Sequence, residues 1–162
     1  MKTRLLDRKS QKYIDAEIRR VELEDLPLKK NGWQFNWRKL YRVKGAEVFK
    51  LIITGTSNSL EGLIMLSLMY GEMVFMNNIE VAPHNYGSQG RYENAAGCLL
   101  AFGCQQGFER GEGHYLGYLS FESKSQLIPI YQHKYGATLA LGRRMYIGPQ
   151  SGELLIKKYL ND

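Results

Sequence analysis

The sequence predicts an α+β fold built on a mostly antiparallel sheet, and three stretches carry that reading. Val48–Thr54, Glu61–Tyr70 and Met73–Val81 are apolar runs of strand length. The turns between them, around Thr56–Ser59 and Gly71–Glu72, are short enough to imply antiparallel neighbours. Met73–Val81 then leads through the glycine-containing segment HNYGSQGRYEN into an amphipathic run, Ala95–Glu109, that reads as a helix. Beyond it, Gly117–Phe121 reads as a strand and Gln126–Tyr135 as a short helix.

Taken in order, the chain opens on MKTRLLDRKSQKY, which is positively charged and has no apolar core, so it is not read as a secretory signal. Lys12–Glu24 fits two patterns: Tyr13, Ile14, Ile18 and Val21 have helical spacing, while RRVELE suits a strand. Asp25-Leu26-Pro27 reads as a turn or a helix start. Trp33, Phe35, Trp37, Leu40 and Tyr41 follow, interleaved with Lys29, Lys30, Arg38, Lys39 and Arg42. Such a stretch can stack bases and neutralise phosphates, or it can pack a core beneath a solvated basic face. Glu61–Tyr70 is apolar on both faces, as a central strand is.

The helix Ala95–Glu109 contains Gly97, Gly103 and Gly107, each costing ~1 kcal/mol against alanine. Close packing on the sheet explains Gly103 and Gly107. Gly97, in the first turn, is where a phosphate could approach the backbone, and Gly111-Glu112-Gly113 ends the unit. Ala137–Ile147 reads as one strand kinked at Gly142. Glu153–Leu160 reads as a terminal helix with Ser151 at its N-cap.

A chain of 162 residues, 44% hydrophobic and 23% charged, suits one domain with a real core. No apolar run is long enough to span a bilayer, and the cytoplasm is the expected location. Cys98 and Cys104 would lie ~9 Å apart along a helix, too far for a disulfide, and neither has metal-ligand spacing with His84, His114 or His133. Both read as small buried groups, and no metal site is expected. Charge is uneven: residues 1–50 hold fourteen Lys/Arg against seven Asp/Glu, and the remainder hold eight against nine. The basic surplus is either a solvated face or a surface for a polyanion, such as RNA or the phosphates of a cofactor.

The order of motifs resembles the GNAT superfamily of acyl-CoA-dependent N-acyltransferases. Val81-Ala82-Pro83 matches the family's V-x-P strand end. Arg91-Tyr92-Glu93-Asn94-Ala95-Ala96 stands at its pyrophosphate loop, with Asn94 replacing the first loop glycine. Ile130–Ala137 resembles its L-Y-x-x-x-G-F motif, with one extra residue before Gly136 and Ala137 in place of phenylalanine. The likeness covers roughly Glu47 to Ile147. It implies a mixed, mostly antiparallel central sheet with a V-shaped splay, helices on both faces and a first strand near Glu17–Glu22. It also implies a single acyltransferase domain in which residues 1–46 cover the acceptor side, 47–147 form the acyl-CoA core and 148–162 add a C-terminal helix.

By the same resemblance, acetyl-CoA is the acyl donor. Ile79, Glu80 and Val81 would meet its pantetheine through their backbone, and Arg91, Asn94, Ala95, Ala96 and Gly97 would surround its pyrophosphate. Tyr131 stands where the family often places the donor to the leaving sulfur. Glu80 is the carboxylate nearest the reaction zone, as base or as a paired structural group, and Glu122 is a second candidate. Lys124, near a position where many members have asparagine, could reach a phosphate or an acidic substrate group. His84 and His133 read as surface residues. Three functions follow: an N-acetyltransferase on a small-molecule or protein amine; the same chemistry on the amine of an aminoacylated tRNA, as in some family toxins; or a binding module that keeps the fold without catalysis. A sheet edge near the C-terminus could pair two copies into a homodimer.

Overall fold

The computed structural model describes residues 1–56 and 59–160. Ser57 and Asn58 of the expected Thr56–Ser59 turn, and the last two residues of the C-terminal segment, lie outside them.

Among the described residues, eight strands form one sheet in the order β1-β2-β3-β4-β5-β6-β8-β7. They are β1 (Lys2–Leu6), β2 (Tyr13–Arg20), β3 (Ala46–Ile53), β4 (Gly62–Met69), β5 (Met73–Val81), β6 (Leu119–Glu122), β7 (Thr138–Leu141) and β8 (Arg144–Ile147). Every pairing is antiparallel except β5 with β6. Four α-helices accompany them: α1 (Trp37–Tyr41), α2 (Ala95–Arg110), α3 (Ile128–Tyr135) and α4 (Pro149–Tyr159).

Alternation along β4 divides the core into two. Ile64 and Leu66 pack with Leu99, Phe102 and Cys104 of α2, while Leu63 and Met65 pack with Trp33 and Trp37 on the opposite face. The tryptophans of the basic segment are therefore core residues, with Trp37 completely buried. The glycines of α2 explain its close seat: a β-carbon on Gly103 would come 2.9 Å from Leu119, and one on Gly107 2.6 Å from the Tyr118 carbonyl.

Four local expectations are corrected. β1 was not anticipated; it pairs with β2 and is held by Thr3, whose hydroxyl donates to the Tyr159 carbonyl. β2 begins at Tyr13 rather than near Glu17, so the helical alternative for Lys12–Glu24 falls. Ala137–Ile147 is a hairpin of two strands, because Gly142 takes φ +60° and reverses the chain instead of kinking it. α4 begins at Pro149, with Gly148 rather than Ser151 as N-cap, since proline's fixed φ favours the first helical position. α4 packs against α2, where a β-carbon on Gly152 would touch Cys104 at 3.4 Å.

Candidate functional site

The site is positioned by a divergence of neighbouring strands. β6 pairs with β5 only over Val74–Met76. At Asn77 the register of β5 against β4 shifts by one residue, a bulge that bends the strand. β5 then continues to Val81 beside β4 alone, and the space that β6 leaves is a cleft. The Ala82 N–H donates to the Glu61 carbonyl on the β4 side. Backbone direction alternates along a strand, so Glu80 also faces β4, and the N–H and C=O groups of Ile79 and Val81 face the cleft.

The cleft holds about 360 Å³ and is mainly apolar, walled by Ile79, Val81 and Leu100 with Ile130 and Tyr131 of α3. Ala96, in the first turn of α2, closes one end. A smaller recess of about 140 Å³ continues past Tyr131 to Asn77, Glu122 and Lys124. Tyr131 stacks at a tilt on Phe121, with ring centroids 4.7 Å apart. Burial raises its phenol above the ordinary range, so the group stays protonated at neutral pH.

Glu80 forms one corner of the cleft and is buried. Its Oε2 accepts from the Gln34 N–H at 2.6 Å and the Tyr86 hydroxyl at 2.5 Å. Its Oε1 accepts from the Trp37 indole N–H at 2.9 Å and the Phe35 N–H at 3.2 Å. The carboxylate thereby fastens the segment Gln34–Trp37 over the end of β5. Burial, together with the hydrogen bond to Glu80, raises the Tyr86 phenol as well.

The remaining expected residues do not gather in this cleft. Gly97 lies under the ring of Tyr159 from α4, which fills the space a side chain at this position would need. The Asn94 side chain points to β1, accepting from the Leu6 N–H at 2.8 Å and donating to the Arg4 carbonyl at 2.9 Å. Ala95 is buried. The backbone of Arg91 is held between the His84 carbonyl and the Arg8 N–H. Its exposed guanidinium, 3.9 Å from Asp7, opens onto a different recess with Arg8, Lys9 and His84. The loop closes this way because the Asn85 side chain bonds both the Glu61 carbonyl and the Tyr92 N–H.

Sequence reasoning also missed what orients His84. Its Nε2 lies 2.6 Å from Oε1 of the buried Glu61, which also accepts from Ser59 through Oε2. His133 is exposed on α3, and exposed Glu122 pairs with Arg144 at 3.7 Å. Among the described residues no group of three or more His, Cys, Asp or Glu side chains could hold a metal, and no helix is long and apolar enough to cross a membrane.

Splayed strands, a bulge beside the cleft and a helix aimed at its end define a GNAT-like α+β fold, and solved structures share it. The chain is similar to AtaTR bound with AcCoA, at 15% identity and TM-score 0.63, over 87% of this chain and 98% of that one. It is similar to spermidine N-acetyltransferase SpeG of Vibrio cholerae, at 18% identity and TM-score 0.57, over 85% and 95% of the two chains. A KacTA–DNA complex matches at 11% identity and TM-score 0.63, over 88% and 99%. At these identities the likeness is one of fold. No protein-family model matches the sequence, and no curated protein does.

Proposed function

We propose that the protein is an acyl-CoA-dependent N-acyltransferase that moves an acetyl group from acetyl-CoA to a primary amine within a ternary complex. The observation that carries this reading is the free backbone edge of Ile79 and Val81, facing an apolar cleft with a protonated tyrosine in its wall. An extended chain bearing amides, such as pantetheine, would pair with that edge as an added strand does. The orphan N–H groups at the start of α2 suit a phosphate at the Ala96 end, with Asn94, Ala95 and Gly97 offering backbone rather than side chains. Arg91, with Arg8 and Lys9, would serve the outer phosphates, and Lys124 an acidic group at the other end. Tyr131 would protonate the departing sulfur. Likeness to an acetyl-CoA-bound protein and to a spermidine N-acetyltransferase supports the same reading.

One observation favours a nucleic-acid-linked amine, such as an aminoacylated tRNA, over a free one. Residues 26–46 hold six Lys/Arg and no Asp/Glu, and this segment contributes Gln34 to the cleft. Turnover on such an acceptor would fall steeply with added salt. The primary test is calorimetric titration with acetyl-CoA. Saturable binding near one equivalent is the expected result, and no detectable heat overturns the reading.

A further inference from the structure

We infer that Lys124 is a self-acetylation site: with acetyl-CoA bound and no acceptor present, the chain transfers the acetyl group to its own Nζ. The inference rests on the acyltransferase reading and adds a modification site that the chain itself supplies.

The smaller recess shares four wall residues with the main cleft: Gln34, Ile79, Leu127 and Tyr131. Of the twelve lysines in the chain, Lys124 is the one that stands on either wall. The N-terminal amine is no rival, since it donates to the Ile18 carbonyl of β2, three strands away from β5. The fold fixes where Lys124 starts. β6 ends at Glu122, and the Ser123 N–H then donates to the Arg143 carbonyl at 2.9 Å. The Lys124 carbonyl accepts both the Ser123 hydroxyl at 2.8 Å and the Leu127 N–H at 2.9 Å. The backbone is thus pinned in the recess wall, while the side chain is exposed. Among the described residues Lys124 forms no ion pair, and Glu122, the carboxylate of the same wall, is turned to Arg144.

That exposure suits the chemistry. An ammonium at the mouth of the recess keeps its hydration and gives its proton to solvent there, instead of being desolvated as a cation. The flexible four-carbon stem then carries the neutral amine inward. Its nitrogen attacks the thioester carbonyl; the C–N bond forms, the C–S bond breaks, and the sulfur takes a proton from Tyr131. The nitrogen's surplus proton passes to solvent, which restores the phenol. Amine and thioester share one space, so the step is intramolecular and outruns acetylation of lysines elsewhere on the surface. The amide so formed is uncharged, and the recess loses its cation.

The test incubates the purified protein with acetyl-CoA alone and follows intact mass in time, with peptide mapping to place the label and acetyl-CoA calorimetry alongside. The expected result is one acetyl group per chain, on Lys124, gained at least about tenfold faster than on any other lysine. The rate constant should not change with protein concentration, and it should rise with pH because the neutral amine is the nucleophile. Lys124→Arg, which keeps the cation and removes the nucleophile, should abolish the fast label. Tyr131→Phe should slow it by about 10²–10⁴. N-hydroxysuccinimidyl acetate, which needs no donor site, should label the exposed lysines without favouring Lys124. Acetyl-CoA binding without a label on Lys124 overturns the inference and leaves the donor site standing. So does a label spread evenly over the lysines, one whose rate constant grows with protein concentration, or one that reaches Lys124 preferentially from the simple ester too. Failure to bind acetyl-CoA overturns the acyltransferase reading itself.

Discussion

The ring of Tyr159 occupies the space that any side chain at position 97 would need, so Gly97 is the seat of α4 on α2. Tyr159 is not free to retreat. Its carbonyl accepts the Thr3 hydroxyl, and the next residue, Leu160, bridges to Thr3 of β1. Gly97→Ala gains ~1 kcal/mol of helix propensity but forces an overpacking that costs about 1–3 kcal/mol. A net loss of up to about 2 kcal/mol is expected in urea unfolding. The loss should shrink on a Tyr159→Leu background, since the two positions share one space. A midpoint raised by Gly97→Ala would mean that the ring does not sit there.

Glu80 is the second packed junction, and its removal tests the roof of the cleft directly. Glu80→Ala leaves the buried Trp37 indole and the part-buried N–H groups of Gln34 and Phe35 without an acceptor. Hydrogen bonds to a charged group contribute about 1.5–3 kcal/mol each, so a loss of roughly 3–5 kcal/mol is expected. Tyr86→Phe removes one donor at a half-exposed position and should cost about 1 kcal/mol. Comparable losses for the two variants would contradict the account of Glu80 as the hub.

Tyr131→Phe separates proton donation from packing. The ring stacks on Phe121 and Tyr135, and phenylalanine keeps those contacts. On the proposed function, kcat should fall by about 10²–10⁴, the range for a positioned general acid. Affinity for acetyl-CoA, read by calorimetry, should change less than threefold. A loss of binding with kcat preserved would assign the residue to holding the donor instead.

The central strands were legible in the sequence: Met73–Val81 is β5 to the residue, because both of its ends carry turn residues, and Val48–Thr54 and Glu61–Tyr70 are β3 and β4 to within two residues at each end. β1 was not, because KTRLL has only two apolar side chains and its anchor is a buried threonine hydroxyl. Of the expected site, Ile79, Val81, Ala96 and Tyr131 meet in one cleft, since they follow from the direction of a strand and the helices beside it. Arg91, Asn94 and Gly97 were placed by motif position, and their surroundings are set by β1 and α4, distant in sequence. Three of the four partners of Glu80 lie 43 to 46 residues earlier, beyond the reach of any spacing pattern. The pairing of Glu61 with His84 spans 23 residues and is hidden in the same way.

Two thiols make the stability of the fold sensitive to alkali. Burial pushes Cys98 up to about 11, with the Thr3 hydrogen bond pulling slightly the other way, and burial pushes Cys104 up to about 12. Both start from an ordinary value of 9.0, so the folded chain holds these protons more tightly than the unfolded one. The stability they contribute is fully present below pH 9 and is lost as pH rises toward 11–12. Each thiol contributes a slope of up to ~1.4 kcal/mol per pH unit, which sums to about 3 kcal/mol between pH 8 and pH 10. Tyr86, Tyr131 and Tyr135, all raised, steepen the fall above pH 10. Urea midpoints measured from pH 7.5 to 10.5 should show this decline, and Cys104→Ala should remove about half of it below pH 10. A decline that Cys104→Ala leaves untouched would place the alkaline sensitivity in Cys98 and the tyrosines and not under α4.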